Sequence, residues 1–323
     1  MTTLQQLDIL DLRHFTARQL RPLLEQEAGI WERRLRWDYR GSTELLLQYL
    51  DSRILPGFVA LDRGRICGFC FCVYEGHKAV IGDIFSDPLS HAPAGTSEML
   101  ARHLLETLNA SPDIDRIEAQ LLLFDSGTTP TSFLTMGFKV YPRLFLERNL
   151  SLKQEPIESP PALAAGIELC GWASGFYQAT AELIQSAYAG HVDSDINDQY
   201  RNLAGSLRFL HNIVRFPGCG EFDPASSWIL RDRATNGMVG VILCSRVAPD
   251  IAHVTQLCIA PAYRGQQLGR YLLEFCMQTL PGRRYRGITL TVSEQNESAV
   301  KLYFASGFGV RQRFDGLVYS KGR

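Results

Sequence analysis

Apolar positions recur with a period of two in two stretches of this chain that lie far apart. GFVALDRGRICGFCFCVYEGHKAVIGDIFSDP, from Gly57 to Pro88, reads as strand, turn, strand, turn, strand. SSWILRDRATNGMVGVILCSRVAPDIAHVTQLCIAP, from Ser226 to Pro261, reads in the same order. Gly68 precedes Pro88 by 20 residues and Gly240 precedes Pro261 by 21. From Pro88 to Gly137 is 49 residues, and from Pro261 to Gly307 is 46. Equal element order at near-equal spacing predicts two copies of one α/β (α+β) fold, each a mixed, mostly antiparallel twisted sheet flanked by helices. Ser151–Gly166, with three prolines and little periodicity, predicts a linker, giving domains at 1–150 and 167–323 around a linker at 151–166.

The second copy carries the chemistry. After Leu257-Cys258-Ile259 and Pro261 comes the turn Arg264–Gly269, then Leu268, Tyr271, Leu272 and Phe275 at helical spacing. A turn at a helix N-terminus offers free N–H groups and the positive end of the helix dipole, a seat for phosphate. Gly265 and Gly269 let the backbone approach an anion without intervening Cβ atoms. Next come a strand (Ile288–Val292), a polar turn at Asn296, and a helix carrying Ala299, Leu302 and Tyr303, closed by Gly307-Phe308. A phosphate cradle followed by a tyrosine-bearing helix points to group transfer from a pyrophosphate-containing cofactor.

At these residues the sequence resembles the GNAT superfamily of N-acetyltransferases. The family's acetyl-CoA loop, Q/R-x-x-G-x-G/A, corresponds to Arg264-Gly265-Gln266-Gln267-Leu268-Gly269, with Gln267 where a glycine is usual. Backbone amides still serve there if Gln267 keeps a helical conformation. Asn296, Ala299, Leu302, Tyr303, Gly307 and Phe308 match N-x-x-A-x-x-L-Y-x-x-x-G-F at every specified position. The resemblance implies two tandem GNAT folds, acetyl-CoA as co-substrate, and a cofactor site of Leu257, Cys258, Ile259, Arg264–Arg270 (including Gln266, Gln267 and Leu268), Asn296 and Ala299. Leu257–Ile259 would use main-chain groups on the pantetheine arm. The first copy lacks the Arg-Gly turn after Pro88 and has Phe133 near the place of Tyr303, four residues before the Gly-Phe pair in each copy. It therefore reads as a degenerate scaffold, although Gly95 and Thr96 retain amides for a phosphate. Pairing a spent and a working unit is similar to the architecture of the mycothiol synthases, a likeness that transfers no substrate.

Acetyl transfer to an amine needs a neutral amine and a protonated leaving thiolate. The resemblance implies Tyr303 as the acid; the alternative is a buried helix tyrosine satisfying a backbone acceptor. For the base, strand alternation puts His253, Thr255, Leu257 and Ile259 on one face, and His253 is the strongly basic option near the cofactor strand. The alternative there is a strand-end surface histidine, and Glu294 is a lesser candidate. His191, Asp193 and Asp195 lie between two predicted helices, Ala181–Tyr188 and Leu203–Phe216, whose connection forms a wall of the acceptor site in GNAT folds. Their carboxylates would favour a cationic acceptor, or else cap helices in a surface loop. Asp193, Asp195 and Asn197 alternate as in a calcium loop, but the sixth position is Asp198 and the twelfth Ala204, so no metal is expected.

Composition narrows the rest. The 323 residues, 46% apolar, suffice for two packed domains, and a net charge of −1 gives no general attraction to nucleic acid or membrane. No apolar run approaches the ~20 residues that span a bilayer, and MTTLQQLDILDLRHF does not read as a secretory signal. A cytoplasmic location is expected, with the eight cysteines as free thiols, Cys67 and Cys70 being buried strand residues rather than a zinc pair. The expected function is acetyl-CoA-dependent N-acetylation of a small-molecule or peptide amine by direct attack on the thioester. The alternative is an inactive CoA-binding regulatory or scaffold protein. Acceptor identity, acyl chain length and oligomeric state are not specified by these residues.

Overall fold

Alternation over Gly57–Asp62 (β2), Arg65–Glu75 (β3) and Lys78–Ser86 (β4) yields an antiparallel meander, joined at its outer edge by Asp8–Asp11 (β1). The computed structural model describes residues 7–151, 160–216 and 218–321, so residues 152–159 of the expected linker lie outside the described residues. Two compact units are present, one of residues 1–142 and 313–323, the other of residues 143–312.

In the first unit Ala17–Leu35 (α1) and Arg40–Asp51 (α2) precede the meander, and Pro93–Ala110 (α3), Arg116–Gln120 (β5) and Thr131–Thr135 (α4) come after it. β5 runs parallel to β4. Leu100, Leu104 and Leu108 of α3 pack with Cys70, Ile81 and Ile117 on one face of the sheet, while Leu20, Leu24 and Leu47 of α1 and α2 pack with Val59 and Phe69 on the other. Cys67 and Cys70 are buried in β3, their thiols directed at the carbonyls of Ala60 and Leu100.

The second unit takes the end of Lys139–Asn149 (β6), then Ile167–Gly171 (β7), Tyr177–Tyr188 (α5), Asp193–Ile196 (α6), Leu203–Arg215 (α7), Glu221–Phe222 (β8), Trp228–Asp232 (β9), Met238–Ala248 (β10), Ile251–Ile259 (β11), Leu268–Thr279 (α8), Gly287–Ser293 (β12) and Glu297–Ala305 (α9). Its sheet runs β6-β12-β11-β10-β9-β7, parallel only between β11 and β12, with β8 also pairing β10. α8 covers one face through Leu272, Leu273 and Met277; α5 and α7 cover the other through Ile184, Leu210 and Ile213.

The units differ from the boundaries 1–150 and 167–323 at two strands. Residues 143–149 of β6 pair with β12 and belong to the second unit. The last strand, Gly309–Ser320 (β13), pairs through Gly316–Ser320 with β5 and closes the first unit's sheet. Periodicity marks a strand but not its partner, so this exchange of final strands leaves no trace in the apolar pattern.

The two copies agree in a finer feature. β4 carries a bulge at Gly82, where the partners step from Phe71↔Asp83 to Cys72↔Ile81. β11 carries one at Thr255, stepping from Leu243↔Gln256 to Cys244↔Val254. Each lies six residues before its proline, Pro88 or Pro261. Parallel pairing stops just short of each bulge, at Ile81↔Ala119 and Val254↔Leu290. Beyond that point each pair of strands separates, and in the second unit the gap opens onto a cavity.

One interior group of the first unit ties stability to pH. The carboxyls of Glu27 on α1 and Asp83 on β4 are both buried, and each influences the other's titration. The Trp31 indole donates to Glu27 at 2.8 Å and the Ile84 N–H to Asp83 at 2.7 Å. Burial and the neighbouring Asp83 push the Glu27 carboxyl well above the usual carboxylate range, and burial raises Asp83 as well. The folded pair therefore binds a proton that the unfolded chain releases. Its stability is full at acid pH and falls as pH rises above the ordinary carboxyl range, by up to about 1.4 kcal/mol per pH unit for one proton. Asp83→Asn supplies an N–H in place of that proton, so urea titrations between pH 5 and 8 should show a flatter dependence in the variant. An unchanged slope would assign the proton elsewhere.

Candidate active site

A cavity of about 770 Å³ lies in the second unit at the separated ends of β11 and β12. Leu257, Cys258 and Ile259 of β11 line one side, and the turn Arg264–Arg270, all but Gln266, another. Asn296, Ser298, Ala299, Leu302 and Tyr303 at the start of α9 face them, and Ala187, Tyr188 and His191 at the end of α5 and just beyond it complete the lining. β11 pairs with β10 through Leu257, Cys258 and Ile259, but it has left β12 after Val254. Its other edge thus presents main-chain groups to the cavity, as an extended amide-bearing arm requires.

The turn holds two residues at positive φ, Gly265 at 77° and Gln267 at 59°. At Gly265 no atom lies within 4 Å of where a Cβ would stand, leaving open space for an approaching anion. Gln267 is the N-cap of α8 in the left-handed region, not the helical one expected. A side chain there costs roughly 1–2 kcal/mol, which is why glycine is the easier residue at this place. The conformation is kept regardless, and the first N–H groups of α8 remain available at Leu268 and Gly269. A Cβ on Gly269 would meet Ile259 and Leu302 only at 3.7 and 3.8 Å. Gln266 is exposed and does not line the cavity. The guanidinium of Arg264 donates to the Ala187 carbonyl at 2.5 Å, and Arg270 pairs with buried Glu274 at 2.7 Å, so both cations are already engaged by protein. Asn296 caps α9, its Oδ1 accepting from the Ala299 N–H at 3.3 Å.

Tyr303 is buried at the cavity edge, stacked edge-on with Phe308 at 5.8 Å. Burial, then the charge of Asp193, pushes its phenol up, so it stays protonated across the working range and can only give a proton. Cys258 is the other reactive group in the lining. Burial pushes its thiol up to about 12, which leaves almost no thiolate to act as an acyl carrier.

His253 lies elsewhere. It is buried, does not line the cavity, stacks with Phe145 at 5.8 Å, and has Nδ1 at 2.8 Å from Thr289 Oγ1. Burial pushes it down to about 3, away from the range suited to removing a proton near neutrality. The bulge at Thr255 is the reason. It shifts the phase of the strand, so that Ala252 and Val254, not His253, share the core with Leu257 and Ile259. Glu294 also lies outside the lining.

The predicted acceptor residues separate. Only His191 lines the cavity. The Asp193 N–H lies 3.1 Å from its Nδ1, and the Asp193 Oδ2 lies 3.4 Å from the same nitrogen. Asp193 is buried behind it, accepting from the Ser293 hydroxyl. Asp195 is exposed and pairs with Arg201 at 3.2 Å. Tyr188, Tyr263 and Ser298 also line the cavity, and sequence reasoning passed over them. Tyr188 stacks on Tyr200 at 4.4 Å and meets His191 edge-on at 5.3 Å. Tyr263 donates to Asp232 at 2.7 Å. Tyr263 was visible between Pro261 and Arg264; nothing in the sequence marked Ser298.

The first unit differs in the residues at the places that line the second unit's cavity. Leu100 packs on Gly68 as Leu272 does on Gly240, which matches Glu98 to Arg270. Glu98 accepts from the N–H groups of Thr131 and Ser132 at 2.6 and 3.1 Å, putting a carboxylate at the N-terminus of α4. Pro93 begins α3 without an N–H, and the Thr96 N–H is given to Ala92. Phe133 is fully buried against Phe138.

Residues 191–308 match the model of the acetyltransferase (GNAT) family. Three solved structures share the fold over nearly the whole chain. A tandem GNAT protein from the clavulanic acid biosynthesis pathway is 16% identical, with 98% of this chain and 99% of that one covered and a TM-score of 0.60. A GCN5-related N-acetyltransferase from Sphaerobacter thermophilus is 15% identical, with coverage of 97% and 95% and a TM-score of 0.61. A glucosamine N-acetyltransferase region of a fungal multi-domain GH3 β-N-acetylglucosaminidase is 14% identical, with 98% of this chain but 38% of that one covered and a TM-score of 0.65. No curated protein matches the sequence. The chain thus has the fold of the tandem GNAT proteins, and its second unit carries the segment that matches the acetyltransferase family model. No helix among the described residues is long and apolar enough to cross a membrane.

Proposed function

We propose that the second unit transfers an acetyl group from acetyl-CoA to the amine of a small molecule or peptide, by direct attack on the thioester. The single observation that carries this reading is the cavity itself. It joins an unpaired strand edge, the amides of a helix N-terminus and the buried phenol of Tyr303 in one space. The residues present fit acetyl-CoA: the Gly265–Gly269 amides suit its pyrophosphate, the β11 edge its pantetheine arm, and Asn296 and Ala299 the segment beyond. When the amine nitrogen bonds to the carbonyl carbon and the C–S bond breaks, Tyr303 gives its proton to the departing sulfur. The amine proton leaves through water beside His191, since His253 lies outside the lining. The protonated state of Cys258 supports direct attack over an acyl-enzyme route. Low identity to the fungal glucosamine N-acetyltransferase region leaves the acceptor open, but glucosamine belongs in any panel tested.

For the acceptor, burial raises the phenols of Tyr188, Tyr200 and Tyr303, and the carboxylate of Asp193 adds to the rise in each. Such a charge, poorly screened, favours a cationic amine. Asp193→Asn should raise the acceptor's KM with little change in acetyl-CoA affinity, whereas Asp195→Asn should change neither. Equal effects from the two variants would remove Asp193 from acceptor recognition. A second reading, a CoA-binding regulator without transfer, gains from the displacement of His253; CoA release on addition of amines separates the two.

A further inference from the structure

The side chain of Arg264 does something that a phosphate-binding turn does not require. Its Nη2 reaches across to the carbonyl of Ala187, 2.5 Å away, in the last turn of α5. That helix has no basic residue of its own in its last turn, and its terminal carbonyls carry the negative end of the dipole. The cofactor turn therefore supplies the cation that α5 lacks. Beyond Ala187 the chain forms the wall of the cavity on the acceptor side. Tyr188 lines it and stacks on Tyr200, the Tyr188 carbonyl accepts from the His191 N–H at 3.0 Å, and His191 lines it in turn. One hydrogen bond thus joins the segment that would hold the pyrophosphate to the segment that would hold the acceptor.

Resting on acetyl-CoA as the donor, we propose that Arg264 is a positioning residue that couples the two half-sites: an occupied turn orders Ala187–Asp193, so that cofactor binding prepares the acceptor wall. By linkage the effect is reciprocal, and acceptor binding tightens the hold on the cofactor. The turn's N–H groups, not the guanidinium, carry the phosphate.

Hydrogen exchange on the full chain, with CoA as the probe, tests this. In the wild type, CoA should slow exchange both at Gly265–Leu272 and, by at least about fivefold, at Ala187–Asp193. In Arg264→Ala the slowing at Gly265–Leu272 should persist, with the CoA Kd raised less than about tenfold, while that at Ala187–Asp193 disappears. Arg264→Lys keeps a cation within reach of the carbonyl and should restore part of it. Persistent slowing at Ala187–Asp193 in Arg264→Ala would overturn the coupling. So would its absence in a wild type whose turn is protected, or loss of CoA binding by a folded Arg264→Ala, which would assign the guanidinium to phosphate. Failure of CoA to protect even the wild-type turn would instead reject the acetyl-CoA reading, and the coupling with it.

Discussion

Tyr303→Phe is expected to lower turnover by about 10²–10⁴-fold while leaving acetyl-CoA affinity within a small factor of the wild type. The phenol lies buried at the cavity edge, and its hydroxyl takes part in no hydrogen bond with protein among the described residues. A structural tyrosine would be held by such a bond; a donor awaiting a thiolate need not be. Because burial raises the phenol's pKa, no alkaline loss of the acid is expected until well above neutral pH. The ring contact with Phe308 survives in the variant, so its thermal stability should change little. Unaltered turnover would reduce Tyr303 to a packing residue.

Gly269→Asp is expected to abolish acetyl-CoA binding, and Gly269→Ala to preserve it. The two separate charge from bulk. A methyl group at this position meets its nearest neighbours at 3.7 and 3.8 Å, ordinary contact distances, and disturbs nothing. A carboxylate beside the first N–H groups of α8 would occupy the place of the pyrophosphate with charge of the same sign. Calorimetry of the wild type should give one acetyl-CoA per chain, since the first unit has the carboxylate of Glu98, the N–H-less Pro93 and the buried Phe133 in place of a phosphate turn and a tyrosine. Two equivalent sites per chain, or binding retained in Gly269→Asp, would remove the turn from its role.

Much of this was legible from residues alone. The Arg264–Gly269 turn, the Asn296–Phe308 pattern and the repeated strand order all depend on local chemistry, and local chemistry is what a sequence displays. Three features were not. The bulge at Thr255 changes which side chains share a face, and no residue type there announces it, so His253 was placed on the wrong side of its strand. The exchange of β6 and β13 between units depends on pairing partners far apart in sequence. The engagement of Arg264 with Ala187, 77 residues away, is set by tertiary packing. The acidic stretch shows the same limit. Asp193 and Asp195 look alike in sequence, yet one is buried on Ser293 and the other is a surface partner of Arg201.

The most direct measurement is the fate of the acetyl group itself. Purified protein would be incubated with acetyl-CoA labelled in the acetyl carbon and with a panel of cationic amines, glucosamine among them. The label and the free thiol would be monitored together. The structure predicts one equivalent of CoA thiol released for each labelled amide formed with at least one amine, with both lost in Tyr303→Phe. Tight binding of acetyl-CoA with the label never leaving sulfur, across the panel, would contradict acetyl transfer and leave a CoA-binding regulator.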